Sequence, residues 1–396
     1  MYQLTHIIRT IYLAITLSMI LFSNQISANE QASKTDGVPI QYDFGHQYKL
    51  QSKILGEERQ LLIYVPDEYK NSTDKFPVIY LLQGNIHYQH AVISAEKIQQ
   101  SGWMPASIIV AITDNEGTNT RDYRNESDNF LRFINQEVQP FVARNFRLNG
   151  FKTLFGHLES GKFVLDTFLA DPDEFDIYIS ANARIRQETI TKFERFLDKN
   201  QKLDQALYFS MGTVIDNGPY NVEPADELAE LLKKKAPQSL QWKYQYLTLH
   251  GAYSSANVTL YDGLSETFSD YIGEPITYQD FVDMNKMQGI EALFRKRAKK
   301  YHISAEVDIG TFMGLGFSFM DNGHPKEAVE LIIDAIKNRY PKSIELHRVL
   351  GRAYLKLASH QQAFKAYEEM VLLAKQQNHP RLDGYQSLLE QVRKKL

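Results

Sequence analysis

The sequence predicts an α/β protein: a mostly parallel sheet with helices on both faces, followed by an all-helical region. Three observations predict it. Between about 38 and 265, short uninterrupted apolar runs alternate with amphipathic segments, the pattern of strands buried on both faces by crossover helices. After about 266 the strand pattern stops, and from 287 to 396 nearly every segment has helical spacing. Within that last stretch a repeat emerges, with Gly316 and Gly351 standing 35 residues apart.

The strand runs come in order. Leu61 to Val65, Val78 to Leu82 and Ile108 to Ile112 are the first three, and Lys152 to Phe155, Ala206 to Phe209 and Trp242 to Leu247 follow. One intervening helix is clear from Asn129 to Asn145, where Phe130, Phe133, Ile134, Val138 and Phe141 fall on one side. This is the α/β layout, and it sets a first domain at about 38–270. In the second, 287–396, Ala328 and Ala363 repeat the 35-residue spacing, as do Ile332 and Tyr367. Each repeated Gly is followed three residues later by an aromatic, Phe319 or Tyr354. Small residues that let paired helices approach, with an aromatic filling the gap, resemble the tetratricopeptide repeat, and Ala335 and Pro341 extend the match. Two units are fewer than a solenoid core needs. Flanking helices at Met287 to Tyr301 and Tyr385 to Leu396 are expected to complete it.

Composition sets limits on the chemistry. The 396 residues carry 44 Lys+Arg against 48 Asp+Glu, a formal charge of −4, which gives no basic surface for nucleic acid. There is no cysteine, so disulfides, zinc thiolates, iron–sulfur clusters and a thiol nucleophile are excluded. Residues 1–28 read as a secretory signal peptide: Arg9, an apolar run from Ile11 to Phe22, then Ile26-Ser27-Ala28 as small residues for cleavage. The run is too short to span a bilayer comfortably. The expectation is an exported, periplasmic protein with no membrane attachment after cleavage.

The chemistry is expected at Gly156-His157-Leu158-Glu159-Ser160-Gly161. This segment follows the strand run at 152–155 and precedes the apolar stretch Phe163 to Leu169. Strand, sharp turn and helix together are the setting of a nucleophile elbow, where a strained turn lifts the nucleophile above the sheet. Small residues are needed two before and two after the nucleophile, and Gly156 and Ser160 supply them. The central position, 158, holds Leu. Ser160 lies two residues further on, roughly 200° around a helix from 158, so it is a weak alternative nucleophile.

Here the sequence resembles the serine esterases of the α/β-hydrolase fold, the enterochelin esterase and S-formylglutathione hydrolase-like group. It is most similar to the subset with C-terminal tetratricopeptide repeats. Tyr64-Val65-Pro66 and Pro77 to Leu82 match the opening strands, and Gln83-Gly84-Asn85 stands where that group has Asp-Gly or His-Gly. Thr120-Arg121-Asp122, Phe130 to Ile134, His250-Gly251 and Tyr261 to Leu264 continue the match in order. The resemblance implies that His250 is the general base and Asp216 the acid, in the chain order of this fold. Glu223 and Asp226 lie in the same connection as Asp216. It also implies an oxyanion hole from the backbone N–H groups of Asn85 and Glu159. The departure is at the nucleophile, where Gly-His-Ser-x-Gly-Gly is expected and Leu158 and Ser160 replace the serine and the first of the final glycines. Leucine has no lone pair to attack a carbonyl.

No cofactor is implied. His87 and His90 form a His-x-x-His pair without an evident third ligand, so no metal site is expected. Three functions fit. The first is a catalytically impaired esterase scaffold that binds a small ester or acyl ligand, with a protein partner on the repeat domain. The second is an active carboxylesterase using Ser160 or a water held by His250. The third is a repeat-domain scaffold that the hydrolase domain merely supports.

Overall fold

Residues 40–215, 218–219, 222–272 and 276–396 are described by a computed structural model. The segment read as a signal peptide lies outside them. The described strands are β1 (His46–Gln51), β2 (Glu58–Tyr64), β3 (Phe76–Leu81), β4 (Ile108–Ile112), β5 (Leu148–His157), β6 (Ile177–Ala181), β7 (Ala206–Ile215), β8 (Gly218–Pro219) and β9 (Gln241–Gly251). They form one sheet in the order β1-β2-β4-β3-β5-β6-β7, with β8 and β9 both pairing with β7. The two pairings of β2 and the short β8 pairing are antiparallel, and every other pairing is parallel. The sheet is mostly parallel, as the apolar runs predict.

The runs are continuous because both faces are covered. Every residue of β3 and β4 is buried. Successive side chains point to opposite faces of a strand, so Val78 and Tyr80 join one core while Ile79 and Leu81 join the other. On the first face the sheet packs against the helical stretch from Ser127 to Asn145 and against α2 (Glu159–Ala170), α3 (Gln187–Lys199) and α4 (Glu223–Lys235). On the second it packs against α1 (Gly84–Gln100) and α5 (Ala252–Thr267). β1 and β6 lie outside the runs that predict strands. β1 is an edge strand with alternating exposure, and β6 is only five residues long, although fully buried. The helix predicted over 129–145 contains a π turn at Ile134–Val138 before the segment Gln139–Asn145. Pro140 sits just after that turn; it has no N–H to donate, and a widened turn absorbs the missing bond.

The C-terminal helices are α6 (Met287–Tyr301), α7 (Ile309–Asp321), α8 (Pro325–Asn338), α9 (Ile344–Lys356), α10 (His360–Gln376) and α11 (Leu382–Arg393). The repeated glycines sit where helices approach most closely. A Cβ on Gly316 would lie 2.9 Å from Val349 and 3.1 Å from Ile332, and one on Gly351 only 2.4 Å from the Tyr367 ring. Ala328, Ala335, Ala353 and Ala363 are wholly buried. Flanking helices close both ends of this core: Ile290 and Phe294 of α6 join Phe312 and Phe319, while Tyr385 and Val392 of α11 join Tyr367 and Met370.

Residues 44–396 nevertheless form a single unit, because α6 belongs to two cores. Its first turns serve the helical core, and Tyr301 at its end joins the second face of the sheet. The Tyr301 ring lies 5.3 Å from both Phe151 and Phe268 and 5.5 Å from Tyr271. Its backbone carbonyl accepts from Asn149 Nδ2 at 3.0 Å, and Lys300 pairs with Asp270 at 2.8 Å. The boundary expected at 287 therefore falls before a helix that both regions share.

Gly351→Ala forces a methyl group into the Tyr367 ring. The expected cost is about 1–3 kcal/mol of overpacking, read as a lower thermal midpoint. Gly314→Ala in the same region is the control, since nothing lies within 4 Å of a Cβ there.

Candidate active site at the strand-to-helix turn

The β5–α2 turn is as sharp as the sequence pattern requires. Leu158 adopts φ 55° and ψ −113°, a combination that L residues reach only under constraint. The constraint is close packing on both sides of it. A Cβ on Gly156 would meet the Ser160 carbonyl oxygen at 2.3 Å, and one on Gly161 would meet the Ala181 carbonyl oxygen at 2.7 Å. Leu158 itself donates its N–H to that Ala181 oxygen at 2.9 Å, and its carbonyl accepts from Lys162 N–H at 2.9 Å. The Leu158 side chain is half-buried and offers neither a lone pair nor a transferable proton.

Ser160 faces the opposite way and is completely buried. Its Oγ accepts the His157 N–H at 2.8 Å and lies 2.9 Å from two acceptors, Gln83 Oε1 and the His157 carbonyl. The hydroxyl thus ties the turn to the loop after β3. There Gln83 is buried with a left-handed backbone, φ 56° and ψ 49°. Gly84 follows at a point where a Cβ would lie 2.9 Å from Ala111. Asn85 and Glu159 occupy the first turns of α1 and α2, where backbone N–H groups have no acceptor within the helix. Helix N-termini also favour developing negative charge.

A third segment reaches the turn from the end of β9. His157 Nε2 lies 2.7 Å from the Ala252 carbonyl, which also accepts from Asn182 Nδ2 at 3.2 Å and Ser255 Oγ at 2.9 Å. A carbonyl only accepts, so His157 Nε2 carries a proton, and burial favours the neutral ring. Asn182 Oδ1 in turn accepts the Gly212 N–H at 2.6 Å. At Gly212 the β7–β9 register shifts, and a Cβ would lie 2.5 Å from the His250 carbonyl oxygen. His250 is consequently held two residues from a carbonyl that the turn itself grips. Asp216 lies outside the described residues. Asp226 accepts from Tyr244 Oη at 2.8 Å.

Sequence reasoning missed the supports beneath these groups. Arg59 is wholly buried, pairs with the buried Asp122, donates to Glu57 at 2.7 Å and to the Thr113 carbonyl at 3.0 Å. Arg121 adds bonds to Glu57 at 2.7 Å and Asp122 at 2.8 Å. Its hydrogen bond to Glu57 holds that carboxyl below its ordinary range. The adjacent Tyr123 donates to Asp114 at 2.5 Å and accepts the Gln83 N–H at 3.3 Å. Burial raises the Asp114 carboxyl and pushes the Tyr123 phenol far up. The signal available in the sequence was Thr120-Arg121-Asp122, but its partners Glu57 and Arg59 are more than 60 residues away.

Residues 52–248 match the family described as "Putative esterase". This similarity to the esterase family covers just under half of the chain. The ferri-bacillibactin esterase BesA of Bacillus subtilis (strain 168) is 24% identical over 164 residues, a match covering 33% of this chain and 57% of that protein. The chain thus spans little more than half the length of this curated relative. Among solved structures, an IroE-like serine hydrolase from Shewanella oneidensis aligns with a TM-score of 0.58 and 21% identity, over 72% of this chain and 97% of the other. An uncharacterised protein from Capnocytophaga ochracea aligns with a TM-score of 0.61 and 17% identity, over 86% of this chain and 99% of the other. These two likenesses are of fold. The larger coverage cannot be filled by residues up to Tyr301 alone, so the shared fold extends into the C-terminal helices.

His87 and His157 make the site sensitive to acid. Burial pushes His157 down to about 4 and His87, whose ring lies 5.2 Å from it, down to about 3. Histidine in the unfolded chain titrates near ~6.5, so the unfolded state takes up protons first as pH falls. Their contribution is complete above about pH 6.5 and is lost progressively as pH falls to about 4 for His157 and about 3 for His87. Denaturant midpoints should fall between about pH 7 and about pH 5, and His87→Phe should flatten that slope.

Proposed function

We propose that this chain is an exported, catalytically impaired member of the esterase family that holds a small ester or acyl ligand without cleaving it through a serine. In this reading the hydrolase region at 38–270 binds the ligand. The helices at 287–396, two tetratricopeptide-type pairs with their flanking helices, present a surface to a protein partner. The signal at 1–28 delivers the protein to the periplasm.

The observation that carries the proposal is Leu158. It occupies the strained turn where this fold places its nucleophile, and its side chain cannot attack a carbonyl. The Ser160 hydroxyl, two residues on, is spent on buried hydrogen bonds to His157 and Gln83. The groups that would bind an acyl oxygen depend less on side-chain identity. The N–H donors of Asn85 and Glu159 are backbone groups at helix starts and survive the loss of the serine. His250 as base and Asp216 as acid complete the proposed remnant of the site. The ligand class follows from the named activity of BesA, an esterase acting on ferri-bacillibactin.

Short p-nitrophenyl esters test this directly. The unaltered protein should hydrolyse them no faster than its His250→Ala variant, and His250-dependent turnover would overturn the reading. Leu158→Ser with Ser160→Gly restores both replaced positions. It should raise turnover by on the order of 10²-fold or more, because removal of one triad member otherwise leaves only oxyanion and binding contributions.

A further inference from the structure

Beside the turn lies a cleft of about 370 Å³ at the carboxyl ends of β6 and β7, the end at which open α/β sheets bind ligands. Its size falls within the usual range for small-molecule sites. Its floor is apolar: Ala183, Ile185 and Met211 are buried there, and Pro224 completes it. Its rim is cationic, since Arg184 and Arg186 line it and both are exposed. The cleft adjoins the turn through the backbone, because Leu158 donates to Ala181 just before this segment begins.

The charges around the cleft are unbalanced. Arg124 donates to Glu159 Oε1 at 2.6 Å, and Arg184 approaches the same oxygen only at 3.7 Å. Glu188, on the next helix, pairs with Lys192 at 2.7 Å. Arg186 has no ion pair among the described residues. Arg124 and Arg184 therefore share one carboxylate oxygen, and Arg186 stands outside that pair. An incoming carboxylate can take Arg184 and Arg186 without displacing the strong Arg124 bond. Guanidinium forks suit planar carboxylates in particular, and an apolar floor suits an aliphatic or aromatic body rather than a bare inorganic anion.

We infer that the cleft formed by Ala183, Ile185, Met211 and Pro224 beneath Arg184 and Arg186 binds a small organic carboxylate, the acid rather than its ester. This rests on the proposed non-catalytic reading and adds a ligand class for the cleft beside that site. A chain that does not turn over an ester gains nothing from releasing the acid quickly, and the arginines make the acid the better ligand.

The test is calorimetric titration of the full-length protein with 4-phenylbutyrate, its methyl ester and inorganic phosphate. The acid should bind at least about tenfold more tightly than the isosteric ester, since a charge-assisted pair is at stake, and phosphate should not bind. Arg184→Gln with Arg186→Gln should lose about that factor for the acid only, while Arg184→Lys with Arg186→Lys keeps part of it. Unchanged far-ultraviolet circular dichroism and melting establish that the variants are folded. Equal affinity for acid and ester, no acid binding up to about 100-fold above the protein concentration, or acid binding undiminished in the Gln variant overturns the inference. Phosphate binding as tight as the acid's overturns it too. Heat from hydrolysis of the methyl ester bears on the other question: it defeats the non-catalytic reading and leaves acid binding to be judged on its own affinities.

Discussion

The close approach of α2 to the ends of β5 and β6 is the constraint on which the site depends. Two glycines make it possible, because a Cβ at Gly156 or Gly161 would overlap a backbone carbonyl. The approach fixes the left-handed backbone at Leu158 and buries Ser160 against the loop after β3. It also turns His157 toward Ala252. Each of these links joins a different segment of the chain, so the turn acts as the fastening point for the loop at 83–85, the segment after β6 and the end of β9.

The same geometry separates what positions 158 and 160 contribute to the turn. The turn is held at 158 by backbone bonds to Ala181 and Lys162, and the half-buried Leu158 side chain takes no part in them. A side chain at 160 meets the core. There the hydroxyl finds Gln83 and the His157 backbone as partners, which a glycine could not use. The pair Gln83 and Ser160 adds a buried hydrogen bond between the loop after β3 and the start of α2. Buried polar groups that are fully paired rigidify a site.

Much of this was legible from residue patterns. Uninterrupted apolar runs gave six strands because both faces of the sheet are covered, and the 35-residue spacing located the helices that pack on Gly316 and Gly351. β1 escaped because an edge strand exposes alternate residues and carries polar ones. β6 escaped because five residues after an acidic turn make a weak pattern. The turn at 156–161 was recognisable because its small residues are spaced by a local requirement. The Arg59–Asp122 pair, the Tyr123 bond to Gln83 and the arginine rim were not recognisable, since each joins residues whose separation in sequence carries no period.

By itself, then, the sequence determined the class of fold, the place of the sharp turn, the absence of any sulfur or hydroxyl nucleophile at position 158 and the run of paired helices. These follow from local rules: side-chain periodicity, the size of a residue that must pass a backbone, and the atoms a side chain contains. Tertiary structure decided that Ser160 points into the core, that His157 is a neutral donor to Ala252, and that α6 belongs to both cores through Tyr301. It also placed two arginines over an apolar cleft beside the turn. Those outcomes depend on which distant groups share a low-dielectric interior, where an unpaired polar atom is costly and only the folded chain supplies the partner.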